Sequence, residues 1–146
     1  MAVTAKLFGK ALEALANKEI DWDADTVRVA LCASEFTPAQ DTMDYFDDVT
    51  NELSTASGYI AGGASLASTS AIYTASTNIL MLDGADVSWA DSCITARYAV
   101  VYVDTAASAA SDPLICWTDF GGNVISSSGT FTISWGSQGI VAITAA

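Results

Sequence analysis

Between about residue 71 and the C-terminus, apolar and polar positions alternate with a period of two, the pattern of half-buried β-strands. Both faces of the stretch 94–103 are apolar, which indicates a central strand. Gly121 and Gly122 are predicted to end the strand before them. The predicted strands are 26–33, 71–75, 79–82, 87–89, 94–103, 114–120, 130–135 and 140–144.

The first fifty residues follow a different pattern. Residues 4–17 place apolar side chains at helical spacing, and Thr4 is the predicted N-cap of this helix. A short second helix is predicted over 41–49, with Asp41 as its N-cap. The stretch 54–70 is rich in Ser, Gly and Ala, so we expect a loop or a weakly specified strand there.

These elements predict a mainly β protein. Several short strands with turns marked by glycine favour a β-sandwich or jelly-roll-like body, to which the N-terminal helix and the short second helix are added. We expect one domain over residues 1–146. It comprises an acidic, helix-containing region (1–52) and a strand body (71–146).

The charge is strongly negative: the chain has five basic and seventeen acidic residues, and its net charge is −12. Eleven of the acids lie in the first 52 residues, so the acidity is concentrated there. Nucleic-acid affinity depends on Lys and Arg at phosphates, so DNA or RNA binding is excluded, and anionic membranes are disfavoured.

No apolar run reaches the roughly 18 residues of a membrane span, and no signal peptide is recognisable. We expect synthesis and folding in a cytoplasm.

The sequence lacks the residues and motifs on which common enzyme mechanisms depend. The chain has no histidine, no nucleophile elbow and no phosphate-binding glycine motif, so we expect no enzymatic activity, no catalytic residue and no cofactor. Asp21, Asp23 and Asp25 have the spacing that opens a calcium loop. Thr26 and Cys32 stand where that motif needs Gly and Glu, so the interpretation is an acidic turn, with a weak cation site left open.

Three cysteines, Cys32, Cys93 and Cys116, are interpreted as free thiols packed as small apolar side chains. A bridge between Cys93 and Cys116 is left open, because bridging depends on a specific Cα separation.

The four tryptophans allow a second kind of site. Aromatic residues in strands most often belong to the core, whereas Trp22 lies between two acids and is predicted to be exposed as an interface anchor. If exposed, Trp22, Trp89, Trp117 and Trp135, together with the five tyrosines, could line a carbohydrate-binding platform. A carbohydrate-binding adhesion module is therefore one alternative.

Four segments of the chain are distinctive beyond their composition: 5–53, 86–105, 113–123 and 129–135. The motifs within and between them are the turn IDWD (20–23), DY and DV at 44–45 and 48–49, GY and GG at 58–59 and 62–63, and TARYA (95–99). Through these motifs the chain resembles, over nearly its whole length, small structural proteins of tailed bacteriophages. The resemblance implies a virion protein without catalytic residues, either a head decoration (cement) protein or a minor tail component.

The leading hypothesis is a capsid decoration protein located in the virion, in many symmetric copies. Its implied partners are the major capsid protein and copies of itself. The alternative is a tail-associated protein of the tube, completion complex or baseplate. Candidate interface residues are apolar side chains of the acidic region, each of which could instead belong to the core: Leu7, Phe8, Leu12, Trp22, Tyr45 and Phe46.

Overall fold

A five-stranded antiparallel sheet forms the centre of the protein. The computed structural model describes residues 4–145, apart from the side chain of Thr4. The strand order of the sheet is β1-β8-β7-β2-β3. In chain order these strands are β1 (Thr4–Leu7), β2 (Val27–Cys32), β3 (Ala64–Ser65), β7 (Thr95–Val103) and β8 (Leu114–Ile125).

The central position of β7 is confirmed, since it pairs with β2 on one side and β8 on the other. Val100 and Tyr102 point to one face of the sheet, and Val101 and Val103 point to the opposite face. All four are buried. A sheet that is covered on both faces requires apolar residues at every position of its middle strand, which is the pattern that predicted it.

Two smaller sheets cover one face of the central sheet. One has the order β10-β5-β4 and the other pairs β6 with β9, all antiparallel. Between them and the central sheet lies the larger core, with Leu82, Trp89 and Phe131. The strands are β4 (Ser70–Thr74), β5 (Ile79–Asp83), β6 (Val87–Ser92), β9 (Gly129–Ile133) and β10 (Val141–Thr144). The protein is mainly β, as predicted.

The opposite face of the central sheet is covered by residues 33–49 and by the start of helix α1 (Gly9–Ala16). Phe36 and Met43 are buried against Val100 and Tyr102 of β7. The central sheet therefore lies between two layers of different construction, with strands on one side and mostly loop on the other.

The predicted start of the N-terminal helix is wrong. Thr4 is not an N-cap, because residues 4–7 form β1 and pair with β8, with Thr4 opposite Asp119. The amide of Phe8 still donates to Ile115, and the amide of Gly9 donates to Gln40, so α1 begins only at Gly9. Pairing with a distant strand overrides a local apolar pattern that also fits a helix.

The second predicted helix is reduced to a 3₁₀ turn, Phe46–Asp48, and Asp41 caps no helix. The backbone here pairs across the chain instead of along it. The amide of Phe46 donates to Asp112, and the amide of Leu114 donates to Asp44. These bonds hold the segment 33–49 against the start of β8.

The prediction that Gly121 and Gly122 end the strand is wrong, because they form a bulge within β8. Ala96 lies opposite Val124 and Tyr98 lies opposite Asp119, so β8 has extra residues between the two pairs. Gly121 has a φ of +81°, which a glycine adopts without strain. The bulge turns Ala96 toward the larger core and Tyr98 toward the smaller one, although strict alternation placed them on one side.

One loop is fixed tightly against β2. The Arg28 guanidinium donates to the carbonyl oxygens of Gly62 (3.0 Å) and Gly63 (2.7 Å), and the Tyr102 hydroxyl donates to Gly62 as well. Gly63 has a φ of +76° and lies against the backbone of Val29, so a Cβ added there would overlap the Val29 carbonyl oxygen.

We therefore expect Gly63→Ala to lower the free energy of unfolding by more than about 2 kcal/mol, because it adds a backbone clash to left-handed strain. Gly122→Ala is the control, since a Cβ there meets no atom within 4 Å. It should change stability by less than about 0.5 kcal/mol. Urea unfolding measures both, and equal effects of the two variants would contradict this description of the loop.

Candidate interaction surface

The hairpin of β4 and β5, called the arm below, projects from the protein. Every residue from Ala71 to Asn78 is exposed, whereas Leu82 near the base of the hairpin is buried. Ile72 is 53% exposed and Tyr73 is 52% exposed. Adjacent strand residues point to opposite faces, so the arm presents a large apolar side chain on each face.

The outer edge of the arm is unpaired. Within residues 4–145, β4 is paired with β5 alone, and it has neither a proline nor a charged residue nor a bulge. Natural proteins usually protect an exposed edge with one of these features. At the tip, the Tyr73 hydroxyl donates to Asn78 Oδ1 at 3.1 Å and fixes the turn. The arm is an ordered hairpin with one open edge.

The arm belongs to an uncharged part of the protein. Residues 53–82 contain no charged side chain, and neither do the residues after Asp119. We call β4, β5, β9 and β10 the neutral layer, in which Asp83 is the one charged residue. This layer is unusual on a chain with a net charge of −12.

The opposite side of the central sheet is acidic. We call residues 33–49 the acidic layer, because this segment carries five acids and no base. They are Glu35, Asp41, Asp44, Asp47 and Asp48, and all except the half-buried Asp44 are exposed. Five of the acids thus lie in this layer, whereas on the opposite side β6, which pairs with β9, has one, Asp91.

Exposed apolar side chains follow the same division. Five large hydrophobic residues are exposed in the described chain: Leu12, Ile60, Ile72, Tyr73 and Ile125. All except Leu12 lie in the two uncharged stretches. Scattered exposed apolar residues need no explanation, but Ile72 and Tyr73 are neighbours on one exposed hairpin, which makes the arm a candidate site of protein contact.

A groove with a volume of about 470 Å³ extends the uncharged surface. Phe120 and Val124 of β8 line one side, and Ile133 and Ile140 line the other. No charged side chain is among its described lining residues, so it is suited to an apolar side chain and not to an ionic ligand.

The six interface candidates from the sequence do not come together on one surface. Phe8 is buried and packs on Trp117 with 4.5 Å between ring centroids, and Leu7 is partly buried beside it. Phe46 stacks on Tyr102 at 4.0 Å, and the half-buried Tyr45 donates its hydroxyl to Glu19 at 2.8 Å. Leu12, at 47%, is the most exposed of the six.

The predicted exposure of Trp22 is wrong. Its side chain is buried in the larger core, with 3% of its surface exposed. Its indole nitrogen donates to the carbonyl oxygen of Asp83 at 3.0 Å. Trp89 and Trp117 are buried too, so three of the four tryptophans of the predicted carbohydrate platform are inside the protein and Trp135 is partly exposed. Acidic neighbours in the sequence indicated exposure, but the partner of the indole is 61 residues away.

The acidic turn uses its carboxylates on its own backbone. Asp25 Oδ2 accepts the Asp21 amide at 2.7 Å, and Asp21 Oδ1 accepts the Ala24 amide at 3.2 Å. Across residues 4–145, no group of three or more acidic or cysteine side chains is placed to hold a metal ion. No helix in the same range is long and apolar enough to span a membrane.

The cysteines are unpaired, and Cys93 lies on the surface while Cys116 lies in the larger core. Burial raises the pKa of the Cys116 thiol to about 12, and burial together with Glu52 raises that of Cys32 to about 12. Both thiols stay protonated at neutral pH and are poor nucleophiles.

Comparison of the chain with protein-family models, with curated proteins and with solved structures gives no match.

The sequence analysis did not identify Ile72 and Tyr73 as exposed candidate contact residues. The signal that could have identified them is the long uncharged stretch between Glu52 and Asp83 in an otherwise acidic chain. Two consecutive apolar residues in a strand indicate that both faces are alike. They do not say whether both faces are buried or both are exposed.

We expect a thiol reagent at neutral pH to modify one cysteine per native chain and three after denaturation, since Cys93 alone is exposed. Cys93→Ser should abolish the native reaction and leave two reactive thiols in the denatured chain. Reaction of a second thiol in the native Cys93→Ser protein would contradict the burial of Cys32 and Cys116.

Proposed function

We propose that the protein is a structural component of a bacteriophage virion, and specifically a decoration protein that binds and stabilises the outer surface of the head shell. The observation that carries the proposal is the contrast between two layers: Ile72 and Tyr73 are exposed on the neutral layer, and five acids lie in the acidic layer on the opposite face of the central sheet. The resemblance of the sequence to virion structural proteins supports it.

In this proposal the neutral layer contacts the shell. Ile72 and Tyr73 are half-exposed on the two faces of the arm, so both can be buried by one neighbouring subunit. Burying the exposed half of each such side chain contributes about 1 kcal/mol. The one charged residue of the arm, Asp83, lies at its base, so covering Ile72 and Tyr73 removes no charge from water and avoids the large cost of burying an unpaired ion.

The acidic layer then faces solvent. Like charges at the outer surface keep the free protein soluble and keep assembled particles from adhering to one another. The same charges repel nucleic acid, because phosphate binding requires basic residues. Many copies on a symmetric shell make a durable layer from modest individual contacts.

A tail-associated protein is the second candidate, and the open edge of β4 favours it. An unpaired strand edge can join subunits into a ring through hydrogen bonds between backbones when each contact is head-to-tail. This candidate requires the protein to co-purify with tails and not with heads.

The test is co-sedimentation of the purified protein with empty expanded heads and, separately, with tails from the phage whose particles carry it. We expect the wild-type protein to bind heads at a fixed stoichiometry. Ile72→Asp should weaken binding at least about tenfold, because it replaces a buried apolar contact with a charge.

Leu12→Asp is the matched control, because Leu12 is similarly exposed but lies on α1. Its binding should equal that of the wild type. Loss of binding by Leu12→Asp but not by Ile72→Asp would contradict the orientation, and binding to tails alone would contradict the decoration role.

A further inference from the structure

We propose that the open edge of β4 pairs with the same edge of a second copy of this chain and forms an antiparallel dimer. The two arms would then make one continuous six-stranded sheet, with the order β10-β5-β4-β4-β5-β10. This inference concerns the free protein in solution, so it does not depend on the proposed role in the virion.

The first reason is the unsatisfied edge. A strand with one neighbour presents alternate backbone N–H and C=O groups to the other side, and an antiparallel strand satisfies both kinds of group. All four residues from Ala71 to Thr74 are exposed, so no side chain of the described protein covers this edge. An identical edge has the matching length and hydrogen-bonding pattern by symmetry.

The second reason is charge. Two copies of a chain with a net charge of −12 repel each other wherever acidic surfaces meet. The arm is an exposed strand hairpin with a single charged residue, Asp83, located at its base. The arm is therefore a place where two copies can approach with little repulsion.

The register follows from full overlap of the five residues of β4. Ile72 lies on the two-fold axis opposite Ile72 of the second copy, Ala71 lies opposite Tyr73, and Ser70 lies opposite Thr74. Any shift leaves residues of one edge unpaired. Because a two-fold contact uses the open edge of both copies, assembly stops at two.

Five residues bury less surface than the roughly 1,000 Å² of a stable interface, so the dimer should dissociate on dilution. Sedimentation should give a mass that rises with concentration to twice that of the monomer. Dimerisation should strengthen between about 0.1 M and about 1 M salt, because salt screens the repulsion between the acidic bodies.

The Ile72→Lys variant should remain monomeric, because two lysines of like charge would face each other on the two-fold axis. The Leu12→Lys variant should dimerise like the wild type. A wild-type protein that stays monomeric at every concentration and salt would overturn the proposal. So would assembly beyond two copies, which would indicate a head-to-tail contact.

Disulfide cross-linking tests the register in a Cys93→Ser background, where the remaining native thiols are buried. Residues directly opposite have Cβ atoms about 4.5–5.5 Å apart, close to the spacing a disulfide needs. Ile72→Cys should form covalent dimers on mild oxidation, and Ser88→Cys, at an exposed position of β6, should not.

Ala71→Cys and Tyr73→Cys should cross-link with each other in a mixture and much less when each is alone. Equal cross-linking at positions 72 and 88 would indicate random collision and overturn the proposed edge. Because no heads or tails are present, a negative result here leaves the test of virion binding unaffected.

Discussion

Burial of the central five-stranded sheet on both faces is the constraint on which the rest of the structure depends. Val100 and Val101 are adjacent in β7, point to opposite faces and are both fully buried. Two separate layers are needed to bury them, one on each side of the sheet. Every surface that the protein offers to solvent or to a partner is therefore largely a property of those two layers and of the edges of the sheet.

The two layers cover the faces of the central sheet in different ways because their sequences differ. The segment 33–49 covers its face with a few apolar side chains and holds acids outward, so it needs little regular structure. The neutral layer covers the other face with β5, β9 and β10, and β4 extends beyond the part that the core requires. A strand that buries no side chain and pairs on one edge adds little to stability, so its explanation lies in interaction.

Much of the fold could be predicted from the sequence because the decisive patterns are local. The apolar faces of 94–103 predicted a central strand, and the predicted strand 79–82 agrees with β5 to within one residue. The failures share one cause, which is a partner far along the chain. Residues 4–7 pair with β8, and the segment 41–49 bonds to residues before and within β8, so neither could be recognised from its own periodicity.

The candidate surface was harder to predict than the fold. Trp22 has two acidic neighbours, yet its indole is held in the core by a backbone carbonyl that the local sequence does not reveal. Ile72 and Tyr73 look like core residues of a strand, because exposure on both faces and burial on both faces require the same residue types. Their surroundings distinguish the two cases, since the uncharged stretch 53–82 is a property of composition and not of periodicity.

The most direct test of the separation of roles between the two layers is amide hydrogen exchange, compared between the free protein and the protein bound to phage heads. The account predicts that peptides covering the arm, residues 70–83, become protected on binding, while peptides covering residues 33–49 exchange as in the free protein. Protection of 33–49 without protection of the arm would contradict it.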